Sequence, residues 1–382
     1  MRVPEGTVMI ALERMSLRLR IVFACLALSA IAVWPCLQPA LAAGPVAAAQ
    51  KQIEGSASLK IFFIDVEGGQ STLIVTPAGQ SMLVDTGYPG FEGRDAERIL
   101  QAAKLAGIHR INFLLITHYH ADHVGGVPQL AARIPIDNFL DHGPDVQNSP
   151  ADRKLYSAYM KVAQKGKHRV LKPGDEIPLE GVKVVVVAAA GKHLEQPLAG
   201  AGQPNPYCSV TRAIPIDRTE NAQSAGFVLT YGRFRFVDLG DLTWNKEIAL
   251  MCPRNRLGRA DLFLASHHGN SNSNSRALVW ALRPRVTIID NAPKKGGKPD
   301  AWKRIHAAPG RERIWELHYS VAGGKQHNAQ PSYIANSEGV TDQGHFLELS
   351  VRPDGGFTVV NSRNGFKVDY PARKLSAQSI TP

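Results

Sequence analysis

The stretch Ile111–Gly126, INFLLITHYHADHVGG, decides how this chain is read. Its first part, with Ile111, Phe113, Leu114, Leu115 and Ile116, is a short apolar run of the kind that a buried strand shows. Thr117 then opens onto His118, His120, Asp122 and His123, four metal-competent side chains within six residues. Where a strand stops and a helix starts, the backbone can aim such side chains at one point. Mixed imidazole and carboxylate donors suit a borderline-soft divalent cation such as zinc. A merely solvated loop does not call for three histidines and an aspartate set between a buried strand and a Gly-Gly pair.

Upstream of this block the chain begins with a different logic. Arg14, Arg18 and Arg20 precede an apolar run from Ile21 to Trp34, and Ala40-Leu41-Ala42 supplies small residues for cleavage. Residues 1–42 read as a secretory signal peptide and residues 43–58, rich in Ala, Gly and Gln, as a flexible leader. The apolar run is shorter than the roughly 20 residues that span a bilayer, so no stable membrane anchor is expected after cleavage. The expected location is periplasmic or secreted. Cys25 and Cys36 fall within the signal, which leaves Cys208 and Cys252. An even pair in an oxidising compartment suggests one disulfide, with two separate buried thiols as the alternative.

The 382 residues are 44% hydrophobic, ample for a sizeable core, and carry a formal charge of +11. Cleavage after Ala42 removes four basic and two acidic residues and leaves +9. That balance favours an anionic small-molecule or ester substrate, or simply solubility. No run of Lys and Arg interleaved with aromatics marks a sequence-specific nucleic-acid track.

Outward from the central block, apolar runs and turn residues alternate. Leu59 to Val66 and Thr72 to Thr76 read as strands joined through Glu67-Gly68-Gly69-Gln70, and Met82 to Val84 as a third strand ending in Asp85-Thr86-Gly87. Arg94 to Ala106 has helical spacing, Val124 to Arg133 reads as a helix starting beside the metal-competent block, and Asp152 to Lys165 as another. Ile136 to Leu140 reads as a strand closing on Asp141-His142-Gly143-Pro144, and Val182 to Val187 as a buried strand. Ala188 to Thr219, rich in Gly, Pro, Gln and Asn, reads as an insertion near the mouth of the site, pinned by Cys208. Ser224 to Thr230 and Phe234 to Leu239 form a hairpin that ends in Gly240-Asp241. Asp261 to Ala265 is a strand leading into Ser266-His267-His268-Gly269-Asn270-Ser271. Val286 to Asp290, Leu347 to Val351 and Phe357 to Val360 continue the sheets, and residues 371–382 form a C-terminal tail.

His118-Tyr119-His120-Ala121-Asp122-His123 resembles the HxHxDH signature of the metallo-β-lactamase superfamily. That resemblance implies an α/β four-layer αββα sandwich in a single domain, here over residues 59–370. FIDVEGGQSTLIV with LVDTG, the stretch from Asn221 to Asp241, and the His267-His268-Gly269-Asn270 segment are similar to the branch that includes the hydrolase domain of competence DNA-uptake proteins and the phosphorylcholine esterases. Resemblance further implies two divalent ions, taken as zinc. His118 and His120 would hold one, Asp122, His123 and His267 the other, with Asp241 bridging. Asp85 would fix a ligand imidazole, or else cap a turn. His268 would stand behind the ligands or donate a proton, and it could exchange roles with His267. For one further ligand, His142, at the end of a strand, is preferred over His168 and His193, with a structural or substrate-binding role as the alternative. Asp122, Asp241 and His268 are the catalytic candidates.

The chemistry implied is hydrolysis by a metal-bound hydroxide attacking a phosphodiester or related ester. β-Lactam or lactone hydrolysis is the nearest rival. An iron oxidoreductase on the same fold is disfavoured by His120, and a non-catalytic binding protein by the full set of ligand types.

Overall fold

A computed structural model of the chain describes residues 58–339 and 343–374. The expected signal peptide, the leader up to residue 57 and residues 375–382 lie outside the described residues. Among the described residues two nine-stranded sheets dominate. The first runs Lys367–Tyr370, Phe357–Asn361, Leu347–Val351, Leu59–Phe63, Thr72–Val75, Ser81–Val84, Ile111–Leu115, Ile136–Asp141 and Lys167–Val170. The second runs from Ile334–Asn336 through Arg313–His318, Val286–Ile289, Leu262–Leu264, Phe234–Asp238 and Gly226–Tyr231 to Lys183–Ala189, which pairs on its far side with Glu176–Ile177 and with Lys192–His193.

The period-2 alternation of strand side chains sorts the apolar residues into three interiors. Ile61 and Phe63 point between the sheets and meet Phe227, Phe236, Leu262 and Ile288 from the other sheet. Phe62 and Ile64 point the other way, onto a layer that holds Ile99, Leu130 and Tyr159. Val237 and Phe263 likewise point outward, onto Leu250, Leu278 and Ile305. The result is helix, sheet, sheet, helix, the four-layer sandwich expected from the resemblance. The helices on the first sheet are Arg94–Ala106 and Pro150–Ala163, the latter opened by a Ser149 capping box. On the second they are Trp244–Met251, Arg276–Leu282 and Pro299–His306.

Parallel pairing positions the site. Ser81–Val84, Ile111–Leu115 and Ile136–Asp141 run parallel, as do Phe234–Asp238, Leu262–Leu264, Val286–Ile289 and Arg313–His318. The carboxyl ends of parallel strands are where α/β sheets build sites. Asp85, His118, His142, Asp241, His267, His268 and Asp290 all follow such ends.

Two of the elements placed from sequence take a different form. In place of one helix from Val124 to Arg133 there are two short ones, Ala121–Val124 and Val127–Ala131. Gly126 lies between them, where a Cβ would sit 2.2 Å from the Thr86 carbonyl oxygen, so the chain is pressed against the Asp85 turn. The Gly/Pro-rich insertion is also not confined to the mouth of the site. Ala199 to Tyr207 line a cavity at the amino ends of the second sheet's strands.

That insertion is tied down by a Cys208–Cys252 disulfide, with the Cα atoms 5.9 Å apart and 44 residues of separation. Closing a loop of this length restricts the unfolded chain, so Cys252→Ser is expected to lower the unfolding free energy by about 2–4 kcal/mol. Urea denaturation with and without the substitution reads the effect. An unchanged midpoint would show that the bridge contributes nothing.

Candidate metal centre

Asp241 organises the site. It lies two residues beyond Leu239, it is buried, and each of its carboxylate oxygens faces two imidazoles. Oδ1 is 3.4 Å from His123 Nε2 and 3.5 Å from His268 Nε2, whereas Oδ2 is 3.4 Å from His267 Nε2 and 3.8 Å from His118 Nε2. Two groups of donor atoms result, each within 4.8 Å: Asp122, His123, Asp241 and His268, and His118, His120 and Asp241.

The first group closes through Asp122 Oδ2, 3.2 Å from both His123 Nε2 and His268 Nε2. In the second, His118 Nε2 and His120 Nδ1 face each other at 3.0 Å. Backbone conformation explains how two adjacent histidines reach different donors. His267 and His268 have φ of 56° and 55°, in the left-handed region, on a sharp turn after Leu262–Leu264. Close packing holds the HxHxDH turn as well: a Cβ on Gly69 would sit 2.2 Å from the Asp122 carbonyl oxygen.

Behind the donors stands a layer of acceptors. Asp85 Oδ2 takes His123 Nδ1 at 2.7 Å, and the same carboxylate accepts the Thr117 amide at 2.8 Å and the Thr117 hydroxyl at 2.7 Å. Asp290 Oδ2 lies 3.3 Å from His268 Nδ1. Thr117 Oγ1 is 3.1 Å from His118 Nδ1, whereas the Gln147 amide nitrogen, a donor, is 2.6 Å from His120 Nε2.

Burial alone would push the Asp241 carboxyl up, but the surrounding His267, His268 and His123 hold it well below the usual carboxylate range. Burial likewise disfavours a charged His268, yet Asp241 and Asp290 push its pKa up to about 9. Among the described residues, Asp241 Oδ1 is buried with no hydrogen-bond partner. A buried, ionised oxygen of this kind, ringed by imidazole nitrogens, fits a cation rather than another protein group. The donor set of carboxylate and imidazole fits a divalent metal, and protons would compete with it for these nitrogens.

The structure brings together His118, His120, Asp122, His123, Asp241, His267 and His268. It places His268 in the position where the sequence reading put His267, beside Asp122 and His123, and it places His267 at the other oxygen of Asp241. His142 joins neither group. Its Nε2 is 2.7 Å from Glu220 Oε1, which also accepts the amide of Tyr119 at 3.1 Å, between His118 and His120. Glu220 therefore braces the HxH turn, and His142 braces Glu220. His168 pairs with Asp141 at 2.6 Å, and His193 lies in the short strand Lys192–His193, opposite Ala188.

Three participants escaped the sequence reading: Glu220, Asp290 and Lys295. Lys295 Nζ contacts Asp122 Oδ2 and lies 3.0 Å from the Tyr88 hydroxyl, which puts an ammonium at the edge of the donor cluster. Its sequence signal, Lys294-Lys295-Gly296-Gly297-Lys298, is a basic glycine turn that follows a strand.

Residues 64–194 match the metallo-beta-lactamase superfamily. Among curated proteins the chain is 34% identical over 116 residues to a UPF0173 metal-dependent hydrolase of Polynucleobacter asymbioticus, covering 30% of this chain and 37% of that protein. It is 27% identical over 138 residues to a hydroxyacylglutathione hydrolase of Xylella fastidiosa, covering 36% of this chain and 43% of that one. The chain thus spans less than half the length of these relatives. Among solved structures, the metallo-beta-lactamase fold protein YhfI from Bacillus subtilis aligns with a TM-score of 0.43 at 11% identity, over 68% of this chain and 96% of that one.

Proposed function

For a chain that carries a metallo-beta-lactamase superfamily domain, we propose the role of an exported, dinuclear metal-dependent hydrolase whose substrates are anionic esters, phosphodiesters foremost. The observation that supports it is the Asp241 carboxylate, each oxygen of which faces its own pair of imidazoles. In this reading His118, His120 and Asp241 Oδ2, with His267 beside that same oxygen, would hold one ion, and Asp122, His123, His268 and Asp241 Oδ1 would hold the other. His267 then supplies the additional nitrogen for which His142 is already committed to Glu220.

Divalent ions bound there, taken as zinc, would acidify a water and polarise the ester. The chain's own residues do the rest. Asp241 fixes the separation of the two groups, Asp85 takes the Nδ1 proton of His123 and so leaves its Nε2 free to donate a lone pair, and the Asp290 carboxylate, 3.3 Å from His268 Nδ1, favours a proton on that nitrogen electrostatically. Lys295, steadied by Tyr88, offers a positive charge to the anionic part of the substrate. No side-chain nucleophile is required.

A substrate panel tests this reading. Bis-aryl phosphodiester turnover is expected to exceed that of a chromogenic cephalosporin and of a glutathione thioester, motivated by Lys295 and by the segments similar to the phosphodiester branch. Efficient cephalosporin or thioester cleavage with no phosphodiester activity would reassign the substrate class. Export is part of the proposal, motivated by the order of basic, apolar and small residues in 1–42 and by the disulfide. Protein recovered from a periplasmic or culture fraction should begin near Ala43, and an intact chain retained in the cytoplasm would refute export.

A further inference from the structure

The strands that present the metal centre's donors and the carboxylate behind His268 at their carboxyl ends carry arginines at their amino ends. Arg233 and Arg235 flank the start of Phe234–Asp238, Arg259 precedes Leu262–Leu264, and Arg283 precedes Val286–Ile289. With Arg373 they line a cavity of about 560 Å³, in which Asp261 is the sole carboxylate among the lining residues. A volume of this order falls within the usual range for small-ligand sites.

Two of the cations are built into the wall. Arg235 donates to the carbonyls of Leu257 at 2.7 Å and Ala199 at 3.1 Å, and Arg373 pairs with Asp261 at 2.8 Å while donating to the Ala260 carbonyl at 2.7 Å. Arg259 and Arg283 differ: among the described residues neither guanidinium has a hydrogen-bond or ion-pair partner. Arg259 is held below its ordinary range by burial and then by repulsion from Arg283 and Arg373. Trp280, anchored by donation from its indole to the Arg304 carbonyl at 2.9 Å, forms part of the lining. Like charges gathered in a concave site, with only one counter-charge, raise the local concentration of anions. The free forks of Arg259 and Arg283 match phosphate oxygens in geometry.

We propose that this arginine-lined cavity, at the opposite end of the sheet from the metal centre, is a second binding site that takes a small multiply charged anion of the phosphate class. The strand ends separate it from the ligands of the metal centre, so it is a site distinct from the one that performs the chemistry. The charge excess of the chain then has a local use beyond solubility.

Calorimetric titration with inorganic phosphate at fixed ionic strength tests the proposal on the full mature protein. Any phosphate bound at the metal centre contributes equally to wild type and to variants of the cavity, so the difference between them isolates this site. The Arg259→Gln/Arg283→Gln double variant is expected to lose a saturable component, with affinity there down at least tenfold, while Arg276→Gln, outside the cavity lining, retains it. Without phosphate the double variant should melt no lower than wild type, because repulsion has been relieved, and phosphate should raise the melting temperature of the wild type more than that of the variant. Equal titrations for wild type and double variant would overturn the proposal. So would an equal loss in Arg276→Gln, a lower melting temperature of the phosphate-free double variant, or tight binding of a DNA duplex that depends on these arginines while free phosphate has no effect.

Discussion

Asp241→Ala is expected to bind at most one equivalent of divalent metal and to lose hydrolytic turnover by on the order of 10³-fold or more. The size of the effect follows from geometry. A ligand that belongs to one ion costs one ion's affinity when removed, but Asp241 faces all of His118, His123, His267 and His268 at 3.4 to 3.8 Å. Without it the imidazoles lose the negative charge that balances them, and nothing fixes the distance between the two groups. A single remaining ion would also have to acidify the water alone.

Folding should survive the substitution, because Phe236, Val237 and Leu239 are buried among apolar neighbours and Asp241 lies beyond them. His345→Ala is the matched control: His345 bonds to Gln343 at 2.9 Å and belongs to neither donor group. Metal stoichiometry and turnover, measured together on both variants, decide the matter. Two metals and full activity in Asp241→Ala would show that the centre is not built around this residue.

How much of this site could be read from the chain depended on whether partners are neighbours in sequence. His118, His120, Asp122 and His123 were legible because one strand end delivers all of them, so local spacing already encodes proximity. Asp241 was legible because a carboxylate directly after an apolar strand and a glycine is unusual without a cation to meet it. Gly240 is needed there: it has φ of 54°, and a Cβ would sit 2.8 Å from Thr117 Cβ. His267 and His268 were legible as a pair but not individually, since which oxygen of Asp241 each one faces is set by two consecutive left-handed residues.

Long-range pairings were out of reach. Glu220 and His142 are 78 residues apart, and Lys295 and Asp122 are 173 apart, so nothing local couples them. His142 carried the marks of a ligand, a histidine at the end of a strand beside the metal strand, and only the arrival of Glu220 shows where its nitrogen goes. The strand Arg313–His318 was missed for a different reason. Arg313, Glu316 and His318 interrupt its apolar pattern, although Glu316 is fully buried and accepts the Ala329 amide at 3.0 Å. Tertiary partners satisfied polar groups that sequence patterning reads as exposed.

Asp85→Ala and Asp85→Asn are expected to separate folding from metal binding. Asp85 is wholly buried in a left-handed conformation, φ 60°, and takes three donors from two residues: the amide and hydroxyl of Thr117 and the Nδ1–H of His123. Alanine removes every acceptor at once. It strands a buried amide and a buried imidazole N–H, and it places a residue with no side-chain hydrogen bonding in a backbone region that asparagine and aspartate tolerate better. A loss of about 3–5 kcal/mol is expected, read as a lower urea midpoint.

Asparagine keeps the shape, the backbone preference and an oxygen for the Thr117 amide, so its stability should stay within about 1 kcal/mol of wild type, in the range of a single hydrogen bond. Yet its amide nitrogen is a donor where Asp85 Oδ2 was an acceptor. His123 must then turn Nδ1 into the acceptor and carry its proton on Nε2, the nitrogen that faces Asp122 and Asp241. A protonated Nε2 cannot ligate a metal. Asp85→Asn is therefore expected to fold but to bind metal about 10–100-fold more weakly, with turnover falling alongside. Denaturation and metal titration of the two variants form the test. An asparagine variant with wild-type metal affinity would mean that Asp85 serves only the turn, and that His123 takes its orientation from elsewhere.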